Sequence, residues 1–193
     1  MTTTRYSLGY RRKRLGKTDY RKRLNMLKSK MLRVVVRRSN RNLVLQLIQY
    51  HADGDKVLLA ADSKELKKFG WVVNAGNTPV AYLTGFLMAK KALKKGLNEG
   101  IFDVGLHKMS KGSRIYGALK GLIDGGLKVP CSEEIFPAED RYTGKHIENY
   151  AKMLEKDKEK YNKIFSLYLK HKVNPTELTK LFNKTKDAIV KGA

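Results

Sequence analysis

Between Met31 and Ser63 three apolar runs of strand length follow one another with almost no chain between them. "MLRVVVRRSN" (31–40), "NLVLQLIQYH" (42–51) and "KVLLAADS" (56–63) read as strands, and "ADGD" (52–55) supplies the Asp and Gly of a hairpin-type turn. A parallel pairing needs a crossover of a dozen or more residues, which these spacings exclude, so an antiparallel meander is expected.

Side chains along a strand alternate between faces. The first strand should therefore present Arg33, Val35, Arg37, Ser39 and Arg41 on one face and Leu32, Val34, Val36, Arg38 and Asn40 on the other. One face packs and the other carries arginines. The second strand is apolar on both faces, which predicts a central position.

A helical turn is expected over 63–71, with Ser63 as N-cap and Gly70 near its end. "NAGNTPVAYLTGFLMAKKALKKG" (74–96) then has a clear helix start, with Thr78 as N-cap and Pro79 at the first helical position. Val80, Leu83, Leu87 and Leu93 predict one buried stripe, and Gly96 closes the helix. "IFDVGLH" (101–107) reads as a strand with Phe102, Val104 and Leu106 on one face, 113–126 as a second helix, and "LKVP" as a short strand.

Strands and helices in this order imply an α/β or α+β fold: a mixed sheet begun by the meander, with helices packed on it. Three regions are expected: a basic arm over 1–31, an α/β core over 32–130, and a linker with a helical extension over 131–193. In the extension, 145–172 predicts one long or broken helix. Another covers 174–192, with Asn174 as N-cap, Pro175 at the first position and Glu177 in capping-box register.

Charge bounds the function. The net charge is +23, and residues 1–41 carry 15 basic residues against one acid, Asp19. Self-repulsion of this size makes a permanent polyanionic partner the economical explanation, with nucleic acid first. The stretch "RRKRLGKTDYRKRL" (11–24) has too few apolar residues to form a membrane-surface helix. Asp19 is either an intramolecular anchor for neighbouring arginines or a solvated loop residue.

No catalytic constellation stands out. There is no P-loop or dinucleotide fingerprint, and Ser110 and Ser113 near His107 lack an evident orienting carboxylate. The four histidines have no zinc-type spacing, so no metal, cofactor or small-molecule substrate is expected. A single cysteine, Cys131, fits a reducing compartment, and no signal peptide or membrane span is legible. A cytoplasmic protein is expected.

The candidate contacts are those of an RNA binder. Arg5, Arg11, Arg12, Lys13, Arg14, Lys17, Arg21 and Arg23 interleave with Tyr6, Tyr10 and Tyr20, whose rings either stack on unpaired bases or, for Tyr20 with Leu24, pack back on the protein. Lys108, Lys111, Ser113 and Arg114 lie at one helix start and Asn77 and Thr78 at another, where free N–H groups favour an anion. Ordinary capping serves Thr78 and Ser113 equally well. The alternative from another class is a DNA-binding or nucleoid-type basic protein, which would show a helix-turn-helix or a major-groove ribbon, and neither is evident.

"DYRKRLNMLKSKMLRVVVRRSNRNLVLQLIQY", "SKELKKFGW", "GNTPVAYLTGFLMAKKALKKG", "FDVGLHKMSKGSRIYGALKGLIDGGL" and "SEEIFPAEDRYTGKHI" together resemble the large-subunit ribosomal protein family that binds 5S ribosomal RNA, number eighteen in the universal naming. The likeness spans roughly residues 5–150, and "RLNMLKSK" with the helical extension resembles the archaeal form. It implies a place in the central protuberance, with 5S rRNA, 23S-type rRNA and neighbouring ribosomal proteins as partners. The family's basic arm corresponds to Arg5 through Arg23, its arginine-bearing strand to Arg33, Arg37, Arg38 and Asn40, with Arg41 beside them, and its "KGSR" loop to Lys111–Arg114.

Overall fold

A computed structural model describes residues 8–192. The predictions for Arg5 and Tyr6 lie outside the described residues. The arm holds two helices the sequence reading did not assign, α1 (Arg11–Arg14) and α2 (Tyr20–Lys28). Asp19 starts α2: its carboxylate accepts from the backbone N–H groups of Arg21 and Lys22, so the lone acid is a helix cap.

The meander follows as β1 (Arg33–Arg38), β2 (Leu43–Gln49) and β3 (Lys56–Asp62), antiparallel throughout. A turn tied by Ser39 and Asn42 joins the first two strands, and "ADGD" joins the last two, with Gly54 at positive φ. A 3-10 segment over Ser63–Phe69 is capped by Asp62 rather than Ser63. Asp62 and Glu65 form a reciprocal capping box, while the Ser63 hydroxyl accepts from the Leu43 N–H across the sheet.

The long helix α3 (Thr78–Lys94) starts one residue earlier than expected, because the Asn77 side chain takes the Val80 N–H and leaves Thr78 inside the first turn. Next, β4 (Ile101–Asp103) pairs parallel with β1, giving the mixed sheet order β3-β2-β1-β4. It is shorter than expected because Gly105 takes a positive φ and turns the chain, leaving Leu106 exposed. "LKVP" contributes one isolated bridge, between Lys128 and Glu99.

Helix α4 (Arg114–Asp124) packs against α3 at contact distance. An added Cβ on Gly85 would fall 2.0 Å from the Ala118 carbonyl oxygen, and one on Gly121 2.0 Å from that of Tyr82. With α4 and the sheet pressing on it, α3 buries every residue from Pro79 to Ala89, not the single stripe its periodicity predicted.

The extension is broken into α5 (Glu139–Thr143), α6 (Lys145–Leu154), α7 (Lys158–Ile164), α8 (Ser166–Lys170) and α9 (Leu178–Gly192). Asn174 caps a 3-10 turn over Pro175–Glu177 ahead of α9. Glu177 meets Lys180 rather than closing a capping box. Leu178, Phe182 and Ile189 of α9 join the apolar core that contains Val34, Leu45, Leu47, Trp71, Leu83 and Leu119, so one core runs from the sheet into the C-terminal helices. Among the described residues no helix is long and apolar enough to cross a membrane.

Candidate nucleic-acid interface

On the sheet face turned away from α3, β1 presents Arg33, Val35 and Arg37 beside Gln46 and Ile48 of β2. The arm lies across one end of this face, and between them runs an open groove of about 700 Å³. Its walls bring together Arg12, Lys17, Tyr20 and Arg23 from the arm with Arg33, Arg37 and Arg38 from β1 and His107 from the loop after β4. Seven of the expected contact residues therefore converge on one concave surface.

A network of acids fixes the arm. Arg23 donates both terminal nitrogens to the Asp55 carboxylate, at 2.8 and 2.9 Å. Arg33 donates Nη2 to Asp55 at 2.6 Å and Nη1 to Asp103 at 3.0 Å. Burial pushes the Asp55 carboxyl up, but hydrogen bonds from Arg23 and Arg33 outweigh it and hold the group below its ordinary value. The bidentate bond to Asp55 in turn raises Arg23 above its ordinary value, against the effect of burial.

This placement corrects the expectation for Arg33. Its residue is 3% exposed and its terminal nitrogens are committed to carboxylates, so it anchors the arm from below instead of facing RNA. The arginine face of β1 is real, but its first arginine is covered. Arg37 and Arg38 are exposed, and Arg37 is steadied by Gln46, which accepts from Nε at 2.8 Å. Among the described residues Arg12, Lys17, Arg37 and Arg38 have no salt-bridge partner, so their charge is available to an outside anion.

In the arm, Arg11, Arg12, Lys13, Arg14, Lys17 and Arg21 are exposed. Arg12 Nε donates to Thr18 Oγ1 at 2.8 Å and Arg14 Nε to the Gly9 carbonyl at 3.1 Å, which orients both guanidiniums without neutralising them. Tyr10 and Tyr20 stack on each other, with ring centroids 5.0 Å apart. Tyr10 is 72% exposed, so its outer face is open to a base, while Tyr20 is half-buried.

A second cluster sits at the β1–β2 turn. Arg114 donates to the carbonyls of Gly76 at 2.6 Å and Ser39 at 2.8 Å, clamping that turn to the start of α3 and α4. Asn40 and Arg41 project from the clamped turn and are exposed. His107 lines the groove, and burial, then Arg38 and Arg114, lower its imidazole below the ordinary value.

Lys108 and Lys111 lie on the neighbouring loop, exposed, and Lys111 pairs with Glu134 at 3.2 Å. Asn77 and Thr78 are half-buried in the start of α3 and do not line the groove. Ser113 makes no side-chain cap and its Oγ is buried without a partner.

Asp55, Asp103 and His107 were not among the expected contacts. Asp55 reads in the sequence as a turn residue, and Asp103 as part of a strand; their role rests on pairings between segments that no local pattern encodes. Among the described residues no group of three or more His, Cys, Asp or Glu side chains is placed to hold a metal ion.

The family model described as Ribosomal large subunit proteins 60S L5, and 50S L18 matches residues 4–101 and 95–132. That span contains the arm, the whole sheet, α3 and α4. A curated relative, the large ribosomal subunit protein uL18 of Korarchaeum cryptofilum, is 46% identical over 185 residues, covering 96% of this chain and 94% of its own length. The likeness to an archaeal protein thus extends through the C-terminal helices that the family model leaves unmatched. The chain belongs to the uL18 family of large ribosomal subunit proteins and is of the archaeal type.

Proposed function

We propose that this constituent of the cytoplasmic ribosome's large subunit binds 5S rRNA through the groove between its arm and β1, and so helps attach that RNA to the large rRNA at the central protuberance. Membership of the family makes the chain a structural component rather than an enzyme. The observation that carries the RNA reading is the convergence of Arg12, Lys17, Arg37 and Arg38 on one groove whose two acids, Asp55 and Asp103, are already taken up by Arg23 and Arg33.

The groove suits a backbone followed by shape. RNA major grooves are too deep and narrow for side chains to read, so recognition rests on phosphates, 2′-hydroxyls and unstacked bases. The four unpaired cations supply phosphate contacts, Tyr10 supplies a stacking face, and the clamped turn with Asn40 and Arg41 extends the same surface. The exposed lysines of the loop before α4 add a second basic edge. The C-terminal helices, outside the groove, are assigned to 23S-type rRNA or neighbouring ribosomal proteins.

Titrating a 5S rRNA transcript against salt tests this reading. Neutralising about six phosphates lowers affinity on the order of 10³ between ~50 and ~200 mM salt. A flat salt response, or equal competition by duplex DNA, overturns it.

A further inference from the structure

A second pocket, of about 400 Å³, opens between α2 and the turn after β4, continuous with the groove, with which it shares Lys17, Arg23, Arg33, Asp103, Val104 and Leu106. Unlike the groove, its walls are mainly apolar: Met26 from the arm faces Phe102, Val104 and Leu106. Its volume falls in the range of about 300–1,000 Å³ typical of pockets that bury a small organic molecule. Lys17, Lys22 and Arg23 stand at its margin, and Lys17 and Arg23 also line the groove. An anion held in the groove would therefore have its attached group within reach of the pocket.

The polar groups in the pocket are few and fixed. Asp103 is held by Arg33 Nη1 and by the Gly105 N–H, at 3.0 and 2.9 Å, leaving lone pairs for a donor on a ligand. Asn25 lines the pocket with an amide that makes no side-chain hydrogen bond among the described residues, and it offers both a donor and an acceptor. Arg33 also lines the pocket, and although the residue is 3% exposed its Nε has no hydrogen-bond partner.

We propose that this pocket receives one unstacked nucleobase of the bound RNA, whose phosphate lies in the adjoining groove against Lys17. The ligand class follows from the chemistry: a flat, largely apolar body with amino and carbonyl or ring-nitrogen groups at its edge, tethered to a phosphate. The inference rests on the RNA-binding reading above and adds to it a recognition element that depends on a base instead of on charge. Single-stranded bases splayed into protein pockets are the usual source of sequence preference on RNA.

The test fills the pocket without altering charge. Met26→Trp and Leu106→Trp block it from opposite walls, and affinity for a 5S rRNA transcript is measured alongside melting temperature, salt slope and the reactivity of each RNA base towards base-modifying reagents. Each variant is expected to bind about tenfold more weakly, the loss of one base contact. The salt slope should be unchanged, and one base protected by the wild-type chain should become reactive again. Leu106 is 55% exposed but also borders the groove, so if Met26→Trp lowers the melting temperature its variant decides the matter through the salt slope and the single deprotected base together. Unaltered affinity and an unaltered base pattern in Leu106→Trp overturn the pocket and leave the groove standing. Failure of the wild-type chain to bind 5S rRNA overturns the proposed function itself.

Discussion

Arg33 and Asp55 meet at 2.6 Å across the end of the sheet, and the same carboxylate takes both terminal nitrogens of Arg23. One turn residue thus joins a covered strand arginine to the arm helix. Its charge state decides whether the arm is held.

Because Asp55 is held below its ordinary carboxyl value of 3.8, its contribution to stability is complete above that value and lost as pH falls through the lower folded one. Hydrogen exchange should therefore show the amides of α2 losing protection on acidification below about pH 4 while those of β2 keep theirs. Asp55→Asn should release α2 at neutral pH. Protection of α2 that persists at acid pH would show that apolar contacts hold the arm without the network.

The arginines of β1 should separate into two kinds under mutation. Arg33→Ala leaves the Asp103 carboxylate buried and unpaired and should cost about 3 kcal/mol of folding stability. Arg37→Ala and Arg38→Ala, at exposed positions, should change stability by less than about 0.5 kcal/mol. Each should reduce the salt slope of 5S rRNA binding by about 1. Chemical denaturation and salt titration of the three variants give the comparison, and a stable Arg33→Ala protein would contradict the anchoring role.

Gly121→Ala should destabilise the fold by about 3 kcal/mol, since the added methyl would meet the Tyr82 carbonyl oxygen at 2.0 Å and backbone on both helices must move apart. Gly16→Ala, where nothing lies within 4 Å, meets only the strain of a positive φ and should cost about 1 kcal/mol. Thermal melts of the two variants distinguish a packing seam from a turn requirement.

His107 titrates below its ordinary 6.5 in the free chain because burial and the cations Arg38 and Arg114 disfavour its charged form. Phosphate entering the groove reverses that field, so RNA binding should raise the imidazole and take up a proton. Affinity is expected to increase as pH falls from the bound imidazole's value towards the lower value of the free chain. In His107→Gln this pH dependence should disappear. Histidine ring shifts followed by NMR in free and bound protein measure the change directly.

The meander, the central place of β2 and the two helices on a mixed sheet were all legible in the sequence, because each rests on a local period or a turn residue. What escaped was set by contacts between distant segments. Arg33 alternates with Arg37 on one face, yet it is buried, because the arm and two acids 22 and 70 residues away close over it. The cap of α3 shifted from Thr78 to Asn77 because both side chains are competent caps and only the backbone entry angle chooses between them. The expected strand over 101–107 stopped at Asp103 because the turn at Gly105 outweighs the alternation on either side of it.

Phe182 of α9 tilts against Tyr82 of α3 with ring centroids 5.4 Å apart, and Lys186 lies over the rings of Tyr82 and Phe86. During synthesis, α3 leaves the exit tunnel long before α9 has been translated. For that interval the part of the Tyr82 and Phe86 surface that Phe182 and Lys186 cover is bare, even once Tyr142 has stacked on Tyr82, and a nascent chain so rich in cations presents it beside a basic arm to a cell full of free RNA. The window for misassociation closes only when α9 docks, which places the burden of protecting this chain on whatever first occupies that aromatic surface.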